Sequence, residues 1–369
     1  MNIVKLHLKN FRNYQELLID FNNRLNIIIG DNAQGKTNIL EAIYYLSITK
    51  SFLSVSDRCV IRRDALFSQI GGKINSVAGS KKLAVLINEN GKKTEINDKE
   101  IKKHSDYIGN FRTVIFSPDN LRLIKEGPAN RRRFLNIEIS QLHRKYINIL
   151  NEFNVVLKQR NEYLKVIKNG EYNTLYFNVL TTKFVLLAVD IYKYRETFIN
   201  KVNYYLDKTY KEISDYDGLK LKYITNIDIT TEEEMKTSLI SKLEKNFDKE
   251  VIYGSTMIGP HRDDFSFYLD GNDLLMYGSQ GQLKMAVLSL KLSEIEVFKD
   301  VSLEYPVLLL DDLFSELDID KRNRIINYLN RDIQTIITTT DVDSVNNENI
   351  SNSYITKIEA GKVVYKNYD

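Results

Sequence analysis

Four residues near the N-terminus have types and spacing that suit phosphate chemistry. Gly30, Gly35, Lys36 and Thr37 form the pattern G-x-x-x-x-G-K-[ST]. In such a loop the glycines let backbone N–H groups turn toward a phosphate chain, the lysine reaches the β- and γ-phosphates, and the hydroxyl ligates Mg²⁺. The pattern therefore predicts a nucleotide site with Mg²⁺ at Thr37, rather than a glycine turn that binds nothing.

The residues around this loop have the strand–loop–helix order that a phosphate site requires. The β-branched run Ile27–Ile29 predicts a buried strand before the loop, and apolar residues at helical spacing from Ile39 to Leu46 predict a helix after it. The N-terminus of that helix would add partial positive charge beside the phosphates. We predict that the whole loop contacts the nucleotide, and its residues are Gly30, Asp31, Asn32, Ala33, Gln34, Gly35, Lys36, Thr37 and Asn38.

Two adjacent carboxylates follow another apolar strand late in the chain. The run 306–310 (Pro-Val-Leu-Leu-Leu) ends at Asp311 and Asp312, and Ser-Glu-Leu-Asp follows at 315–318. Acids at the carboxyl end of a buried strand suit Mg²⁺ binding and water activation beside a phosphate loop. The alternative is an acidic loop that holds no metal, and the co-occurrence of the phosphate loop argues against it.

A short polar segment stands before a predicted helix in the same region. Ser279, Gln280, Gly281 and Gln282 precede apolar residues that recur at helical spacing from Leu283. A hydroxyl and free N–H groups at a helix start form another phosphate-binding arrangement. A serine N-cap explains the segment equally well when it is considered alone.

Composition limits the class of protein. Among 369 residues, 43% are hydrophobic and 27% charged, which is typical of a soluble globular protein large enough to bury a core. The single cysteine, Cys59, excludes an internal disulfide and fits a reducing compartment. The residues that follow Met1 have no signal-peptide pattern. The apolar run Phe184–Ala188 is soon followed by Asp190, so it is far too short to span a membrane. We expect a cytoplasmic protein without membrane association.

The middle of the chain differs from its two ends. Residues 1–130 and 251–369 have strand-like patterns and turns, whereas 131–250 predict three long helices, at 131–168, 175–213 and from about 230. These helices cannot belong to a β-rich nucleotide sheet. We predict a nucleotide-binding head built from 1–130 and 251–369, with an inserted helical arm at 131–250.

A net charge of +3 means that any nucleic acid must contact a local basic patch. The densest cluster is Arg131, Arg132 and Arg133, our candidate DNA contact. Successive helical side chains point about 100° apart, so the three cannot all face one partner. The alternatives are a solvated run, pairing with Glu126 and Glu138, or attachment of the arm to the head.

The chain resembles the ABC-type ATPase heads of the SMC superfamily and, at finer grain, the RecF family of bacterial recombinational repair proteins. The fold this implies is an α/β ABC-type P-loop ATPase head with an inserted helical arm. The motifs that carry the resemblance are Asn10-Phe11-Arg12-Asn13-Tyr14, the P-loop, Thr49-Lys50-Ser51-Phe52, Phe116-Ser117-Pro118-Asp119, Arg131-Arg132-Arg133-Phe134-Leu135, Gly259-Pro260-His261-Arg262-Asp263-Asp264, Gly278-Ser279-Gln280-Gly281-Gln282 and Asp311-Asp312.

The resemblance implies a role for each matching residue. Lys36 and Thr37 would hold phosphate and Mg²⁺, Asp311 the metal, and Asp312 would position or activate the attacking water. Family heads pair so that ATP lies between one P-loop and the partner's signature. The signature residues here are Ser279, Gln280, Gly281 and Gln282.

The implied function is ATP-dependent binding of single-stranded or gapped duplex DNA in recombinational repair and replication. An ATP-dependent homodimer would help RecO and RecR load RecA, with weak, DNA-stimulated ATP hydrolysis. An ATP-binding switch with negligible turnover is an alternative that overlaps this one. A transporter ATPase subunit predicts no large helical insert and a switch histidine after the last core strand, where this chain has Thr339 or Thr340.

Two positions depart from the family pattern. Leu53 stands where the family usually has a basic residue, which removes an expected polar contact. Asn136 stands where the family usually has aspartate, which removes an expected ion pair.

Overall fold

The computed structural model of the protein describes residues 1–54, 56–314, 317–329, 332–340 and 353–366. The strands are β1 (Asn2–Phe11), β2 (Tyr14–Asp20), β3 (Leu25–Ile29), β4 (Phe67–Ser76), β5 (Gly79–Asn88), β6 (Gly91–Ile96), β7 (Lys99–Ile101), β8 (Thr113–Phe116), β9 (Leu219–Ile224), β10 (Asp264–Leu269), β11 (Asn272–Asp273), β12 (Val307–Asp311), β13 (Thr335–Thr339), β14 (Tyr354–Glu359) and β15 (Lys362–Lys366). The helices are α1 (Lys36–Ile48), α2 (His104–Tyr107), α3 (Arg122–Lys125), α4 (Pro128–Leu142), α5 (Arg144–Lys168), α6 (Thr174–Ser214), α7 (Glu232–Lys245), α8 (Phe247–Tyr253), α9 (Leu274–Tyr277), α10 (Gln280–Ser302) and α11 (Ile319–Leu329).

The chain forms two compact units. The first unit comprises Met1–Leu121, Lys208–Asp217 and Lys284–Asp369, and the second comprises Arg122–Asp207 and Gly218–Leu283. The division predicted from the sequence, with boundaries after 130 and 250, stays a prediction.

A largely parallel sheet in the first unit positions the candidate site. Its strand order is β15-β14-β3-β13-β12-β8, and only β15 runs antiparallel to its neighbour. In this register Asp311 lies opposite Thr338, and Thr338 lies opposite Ile28. The carboxyl ends of β3, β12 and β13 therefore meet at one edge, which is where open α/β sheets bind ligands.

A second sheet in the first unit is antiparallel, with the order β2-β1-β4-β5-β6-β7. In β1 the apolar residues Leu6 and Leu8 alternate with polar ones, and both leucine side chains are fully buried. Helix α1 contacts strands of both sheets, and nearly all of its residues are buried. An almost continuously apolar helix is what packing on two sides requires.

The second unit contains α4, α5, α7, α8, the part of α6 as far as Asp207, and a three-stranded sheet of order β11-β10-β9. The helix predicted over 131–168 is two helices, because His143 has an extended backbone between α4 and α5. The strand pattern predicted from Val251 was wrong at its start. Helix α8 continues to Tyr253 and ends at Gly254 in the left-handed conformation, so the next strand is β10.

Strands β9 and β14 are among those that the sequence analysis missed. Strand β9 alternates buried Leu219 and Leu221 with exposed Lys220 and Lys222, a period-two signal that was present in the sequence. Strand β14 lies between β3 and β15 in the parallel sheet.

Among the described residues, α6 is the one helix long and apolar enough to cross a bilayer by length and composition. Its most apolar window has a mean hydropathy of 1.4, and 39% of that window is buried. Phe184, Ala188 and Ile191 belong to its buried face. A core helix gives the same signal, so this observation is weak evidence for a membrane.

Candidate nucleotide site

The loop after β3 has the backbone of a phosphate cradle. Ala33 and Gly35 have φ values of 64° and 105°, so the chain turns sharply before α1. Gly35 occupies the N-cap position of α1 and offers no capping side chain to the N–H groups of the first turn. Uncapped N–H groups at a helix N-terminus are suited to an anion.

The turn between β1 and β2 braces this loop from outside. Asn13 Nδ2 donates to the Gln34 carbonyl oxygen at 3.2 Å, and the Tyr14 hydroxyl donates to the Gly35 carbonyl oxygen at 3.0 Å. Asn38 Nδ2 donates in turn to Asn13 Oδ1 at 2.8 Å. A Cβ on Gly35 would lie 2.4 Å from Asn13 Nδ2, so this glycine is required by close packing as well as by its φ. Sequence analysis gave Asn13 and Tyr14 no individual role.

The loop lysine lies folded against its own loop. Lys36 Nζ donates to the carbonyl oxygens of Gly30 at 2.6 Å and Asp31 at 2.8 Å. Burial lowers the pKa of Lys36 from its ordinary value, while the carboxylates of Asp312, Asp311 and Asp31 act in the opposite direction. A cation so placed between carbonyls and carboxylates is available to a phosphate group.

Thr37 and Asp311 lie together, as the sequence analysis predicted for two metal ligands. Thr37 Oγ1 donates to Asp311 Oδ1 at 2.9 Å, and Thr338 Oγ1 donates to the same oxygen at 2.7 Å. Burial raises the pKa of Asp311, although the hydrogen bonds from Thr338 and Thr37 oppose the shift. Thr338 was missed, because its position beside Asp311 depends on the pairing of β12 with β13.

These oxygens fit Mg²⁺. Hydroxyl and carboxylate oxygens are the ligands that Mg²⁺ takes from proteins, and the ion completes its shell with phosphate oxygens and water. The described part of the chain contains no cluster of three or more His, Cys, Asp or Glu side chains suited to a metal. A site with one carboxylate, one hydroxyl and a phosphate chain would suit Mg²⁺.

Asp312 follows the last residue of β12 and has a left-handed backbone conformation. Its φ is 48°, and its N–H donates to Thr338 Oγ1 at 3.1 Å. A non-glycine residue in this conformation is uncommon and clusters at functional sites. Ser315 and Glu316, which belong to the same acidic segment, lie outside the described residues.

The position that is a switch histidine in transporters is a threonine here. Thr339 ends β13 opposite Ile29 and is buried, and Thr340 beside it is exposed.

A buried carboxylate on α1 organises the segment that follows this helix. Glu41 is fully buried and accepts two hydrogen bonds from Arg12, at 2.7 Å from Nε and 2.6 Å from Nη2, and one from Ser51 at 2.5 Å. Arg12 Nη1 also donates to the Cys59 carbonyl oxygen at 2.7 Å. Leu53, one of the two residues that depart from the family pattern, is 41% exposed and donates its N–H to Ser51 Oγ at 2.9 Å.

The signature residues are at the start of α10. Ser279 N–H donates to Gln282 Oε1 at 2.8 Å, and Gln282 N–H donates to Ser279 Oγ at 3.2 Å. This reciprocal pair is a capping box, so the serine N-cap is present. Gln280 and Gly281 are exposed between them. The predicted role of these four residues across a dimer stays a prediction.

The three adjacent arginines differ in exposure. Arg131 is 7% exposed, donates to both oxygens of Asp264, and also donates to the carbonyl oxygens of Leu123 and Glu126. Arg132 Nη1 donates to the Asp263 carbonyl oxygen at 2.8 Å. Arg133 is exposed. Arg131 is therefore held by hydrogen bonds within the second unit, and Arg133 is the most exposed of the three.

Asn136, the other residue that departs from the family pattern, lies in a buried polar cluster of the second unit. Its amide oxygen accepts hydrogen bonds from Arg195 Nη2 at 3.0 Å and from the Tyr146 hydroxyl at 2.8 Å. Arg195 also forms an ion pair with Asp263, at 3.2 Å. Burial raises the pKa of Asp263 to about 6, against the opposing effect of Arg195. Asn136 thus keeps a hydrogen bond to an arginine without adding a second buried carboxylate.

The sequence of the chain matches a family of known proteins. The family model described as RecF/RecN/SMC N terminal domain matches residues 2–362. The DNA replication and repair protein RecF of Lactobacillus johnsonii is 38% identical over 372 residues, which cover 99% of this chain and 100% of that protein. The protein of the same name from Listeria monocytogenes serotype 4b is 37% identical and covers 98% of this chain and 99% of its own.

Solved structures agree with the sequence relatives. A structure of the recombination mediator protein RecF-ATP in the RecFOR pathway has a TM-score of 0.91 and 33% identity, and the match covers 99% of this chain and 97% of that one. The Smc head domain bound to the C-terminal domain of ScpA, derived from Pyrococcus furiosus, has a TM-score of 0.56 and 16% identity, with 98% and 95% covered. The second likeness concerns the fold alone. Together they confirm the predicted α/β fold of an ABC-type ATPase head. The chain therefore belongs to the RecF/RecN/SMC family and, within it, to the RecF proteins.

Proposed function

We propose that this protein binds Mg²⁺-ATP at the loop 30–38. The observation that carries the proposal is the convergence of Lys36, Thr37 and Asp311 at the carboxyl edge of one parallel sheet, with Thr37 Oγ1 and Asp311 Oδ1 2.9 Å apart. Lys36 would hold the β- and γ-phosphates, and the two oxygens would hold the metal. Asp312, the next residue, would orient the attacking water. The RecF-ATP structure of the related protein supports ATP as the nucleotide.

ATP would act mainly as a dimerisation switch. In this proposal the γ-phosphate held by one subunit is also contacted by the partner's Ser279 hydroxyl and by N–H groups at the partner's α10. In the single chain Ser279 and Gln282 hydrogen-bond each other, so the phosphate would replace their side-chain acceptors at this helix N-terminus. Hydrolysis would remove the γ-phosphate and with it the contact that the two subunits share. The dimer would then separate, and because hydrolysis is weak in this proposal, separation would be slow.

The biological role that follows is DNA replication and recombinational repair, since the relatives are named DNA replication and repair proteins and a related structure is of a recombination mediator protein. The ATP-bound dimer would mark gapped duplex or single-strand junctions in the cytoplasm and assist RecO and RecR in loading RecA. Hydrolysis would be weak and stimulated by DNA. The related structures are named as a recombination mediator protein in the RecFOR pathway, which supports a role with other recombination mediators.

Light scattering of the purified protein tests this proposal. We expect a monomer without nucleotide, a dimer with Mg²⁺-ATP, and a larger complex when gapped duplex DNA is added to the ATP-bound form. EDTA should return the protein to the monomer, because the metal links Asp311 and Thr37 to the phosphates. A protein that remains monomeric at all ATP concentrations would contradict the switch.

The DNA contact is tested by comparing Arg133→Ala with Arg131→Ala. Removing one phosphate contact lowers the salt slope of log K by about 0.9, so the slope of a symmetric Arg133→Ala dimer should fall by about 1.8. Arg131→Ala should instead lower the unfolding free energy by about 3 kcal/mol, because it leaves Asp264 without its cation. Salt titrations of DNA affinity and denaturant melts measure the two effects. An unchanged slope for Arg133→Ala would remove this cluster from the DNA site.

A further inference from the structure

The outer edge of strand β9 in the second unit is only partly covered. Strand β9 is the last strand of its sheet, so β10 pairs with it on one side alone. On the other side Asn203 of α6 donates to the Leu221 carbonyl oxygen and accepts the Leu221 N–H, both at 2.8 Å. Asp207 likewise accepts the Leu219 N–H at 3.2 Å. These two side chains take the place of a further strand, which is one way in which proteins protect a sheet edge.

This cover ends at Tyr223. The N–H and C=O groups of an antiparallel strand alternate in direction, so those of Tyr223 point to the same open side as those of Leu219 and Leu221. In the described part of the chain, no residue hydrogen-bonds to these two main-chain groups of Tyr223. Its side chain is fixed, because the hydroxyl donates to Asp263 Oδ2 at 2.5 Å. Tyr223 therefore presents a well-positioned donor and acceptor at the edge of the sheet.

A cleft of about 690 Å³ opens beside Tyr223, between α6, β9 and the loop 225–229. Sites for small ligands commonly have volumes of about 300–1,000 Å³. The buried side chains of Ile199 and Ile227 give the cleft an apolar floor. Glu196, which is half-buried, and Asp228, which is exposed, are its two carboxylates. The cleft thus combines an open sheet edge, an apolar floor and negative charge.

The two carboxylates decide which kind of ligand the cleft suits. Among the described residues, neither Glu196 nor Asp228 has a cation as an ion-pair partner, and burial raises the pKa of Glu196. Lys222 also lines the cleft, but its Nζ lies 5.8 Å from the centre of the Tyr268 ring. Carboxylates without partners repel the phosphates of nucleic acid and attract basic side chains. A basic ligand with a peptide backbone therefore complements both the charge and the open edge.

We propose that this cleft binds an extended segment of a partner protein in which apolar and basic side chains alternate. One residue of the segment pairs its main chain with Tyr223 and so adds a short strand beside β9. Successive side chains of a strand point to opposite sides, so the apolar ones contact Ile199 and Ile227 while the basic ones approach Glu196 and Asp228. Every residue of the site belongs to the second unit, so binding does not require nucleotide.

Tyr268→Trp gives a reporter for this inference, because Tyr268 lines the cleft and the chain contains no tryptophan. The probe is the acetylated and amidated peptide Val-Arg-Val-Arg-Val, in which the two kinds of side chain alternate. We expect a saturable shift of the emission to shorter wavelength, with a dissociation constant of about 1 mM or lower. Tyr204 is 80% exposed on α6 and does not line the cleft, so Tyr204→Trp is the matched control that should not respond.

The contributions of charge and backbone are measured separately in the Tyr268→Trp protein. Glu196→Gln should weaken binding of the peptide about 10-fold, and Asp228→Asn by a smaller factor because Asp228 is more exposed. Glu244→Gln removes an exposed acid of α7 outside the cleft and should bind like the parent. The acidic peptide Val-Glu-Val-Glu-Val should not bind. A basic peptide methylated at its main-chain nitrogens should not bind either, because it cannot donate to the Tyr223 carbonyl oxygen. Circular dichroism melts establish that all variants fold.

Each of the other outcomes overturns the inference. One is a Tyr268→Trp emission that stays constant when the basic peptide is raised tenfold above the expected dissociation constant. Others are equal binding of the acidic or the methylated peptide, and parental affinity when Glu196→Gln and Asp228→Asn are combined. An equal response to spermidine would assign the cleft to small cations, and a response to a single-stranded oligonucleotide would assign it to DNA. The proposed ATP switch would be unaffected by any of these results.

Discussion

Replacing Asp312 with asparagine is expected to lower ATP hydrolysis by about 10²-fold or more, because the substitution removes the carboxylate that we propose orients the attacking water. The side chain keeps its size, and the left-handed backbone at this position accepts asparagine readily. Lys36, Thr37 and Asp311 are untouched, so ATP binding should stay within a few-fold of the parent. The ATP-bound dimer and its DNA complex should therefore persist longer.

Single-turnover hydrolysis and the lifetime of the dimer after dilution measure these two effects. Asp98→Asn, an exposed acid on the antiparallel sheet, is a charge-matched control that should hydrolyse ATP at the parental rate. Equal turnover by Asp312→Asn and the parent would mean that another group activates the water. A variant that no longer binds ATP would place Asp312 in nucleotide binding instead.

Lys36→Ala is expected to weaken ATP binding by about 10²-fold, which corresponds to about 3 kcal/mol for charge-assisted hydrogen bonds to phosphate. The lysine is held by the carbonyl oxygens of Gly30 and Asp31, and these backbone groups stay in place when its side chain is removed. The fold should remain intact because the glycine turn and α1 do not depend on this side chain. ATP-dependent dimerisation should disappear.

Equilibrium binding of a fluorescent ATP analogue and light scattering in ATP check this result. Lys5→Ala on the outer face of β1 is the control, because it removes an exposed cation that pairs with Asp20 and leaves the loop unchanged. Arginine is not a fair replacement at position 36, since its forked head is too large for the space between two carbonyls. Dimerisation of Lys36→Ala at parental ATP concentrations would refute the phosphate-loop interpretation.

Local signals explain what the sequence predicted. The spacing of Gly30, Gly35, Lys36 and Thr37 depends on a single turn between a strand and a helix, so eight residues contain the geometry. The carboxylates at 311 and 312 were found the same way, at the end of an apolar run. The resemblance to a family then joined the separate signals into one fold.

Contacts between distant strands explain what the sequence did not predict. Thr338 reaches Asp311 through the register of two parallel strands, and Asn13 reaches the Gln34 carbonyl from a turn between antiparallel strands. The spacing of residues within either segment does not predict such a contact. The break at His143 was missed for a different reason, since apolar spacing continues across it and only the backbone changes.

The position of β3 in its sheet has a consequence for the synthesis of the protein. Both strands that pair with β3 come from the last part of the chain, β13 at 335–339 and β14 at 354–359. A nascent chain that has reached only the arm lacks both neighbours of the phosphate-loop strand, and it also lacks Asp311. Such a chain cannot assemble the ATP site while its ribosome is still translating the middle of the message. Under the proposed ATP-dependent pairing, neighbouring nascent chains on one messenger RNA would therefore not pair before their heads are complete.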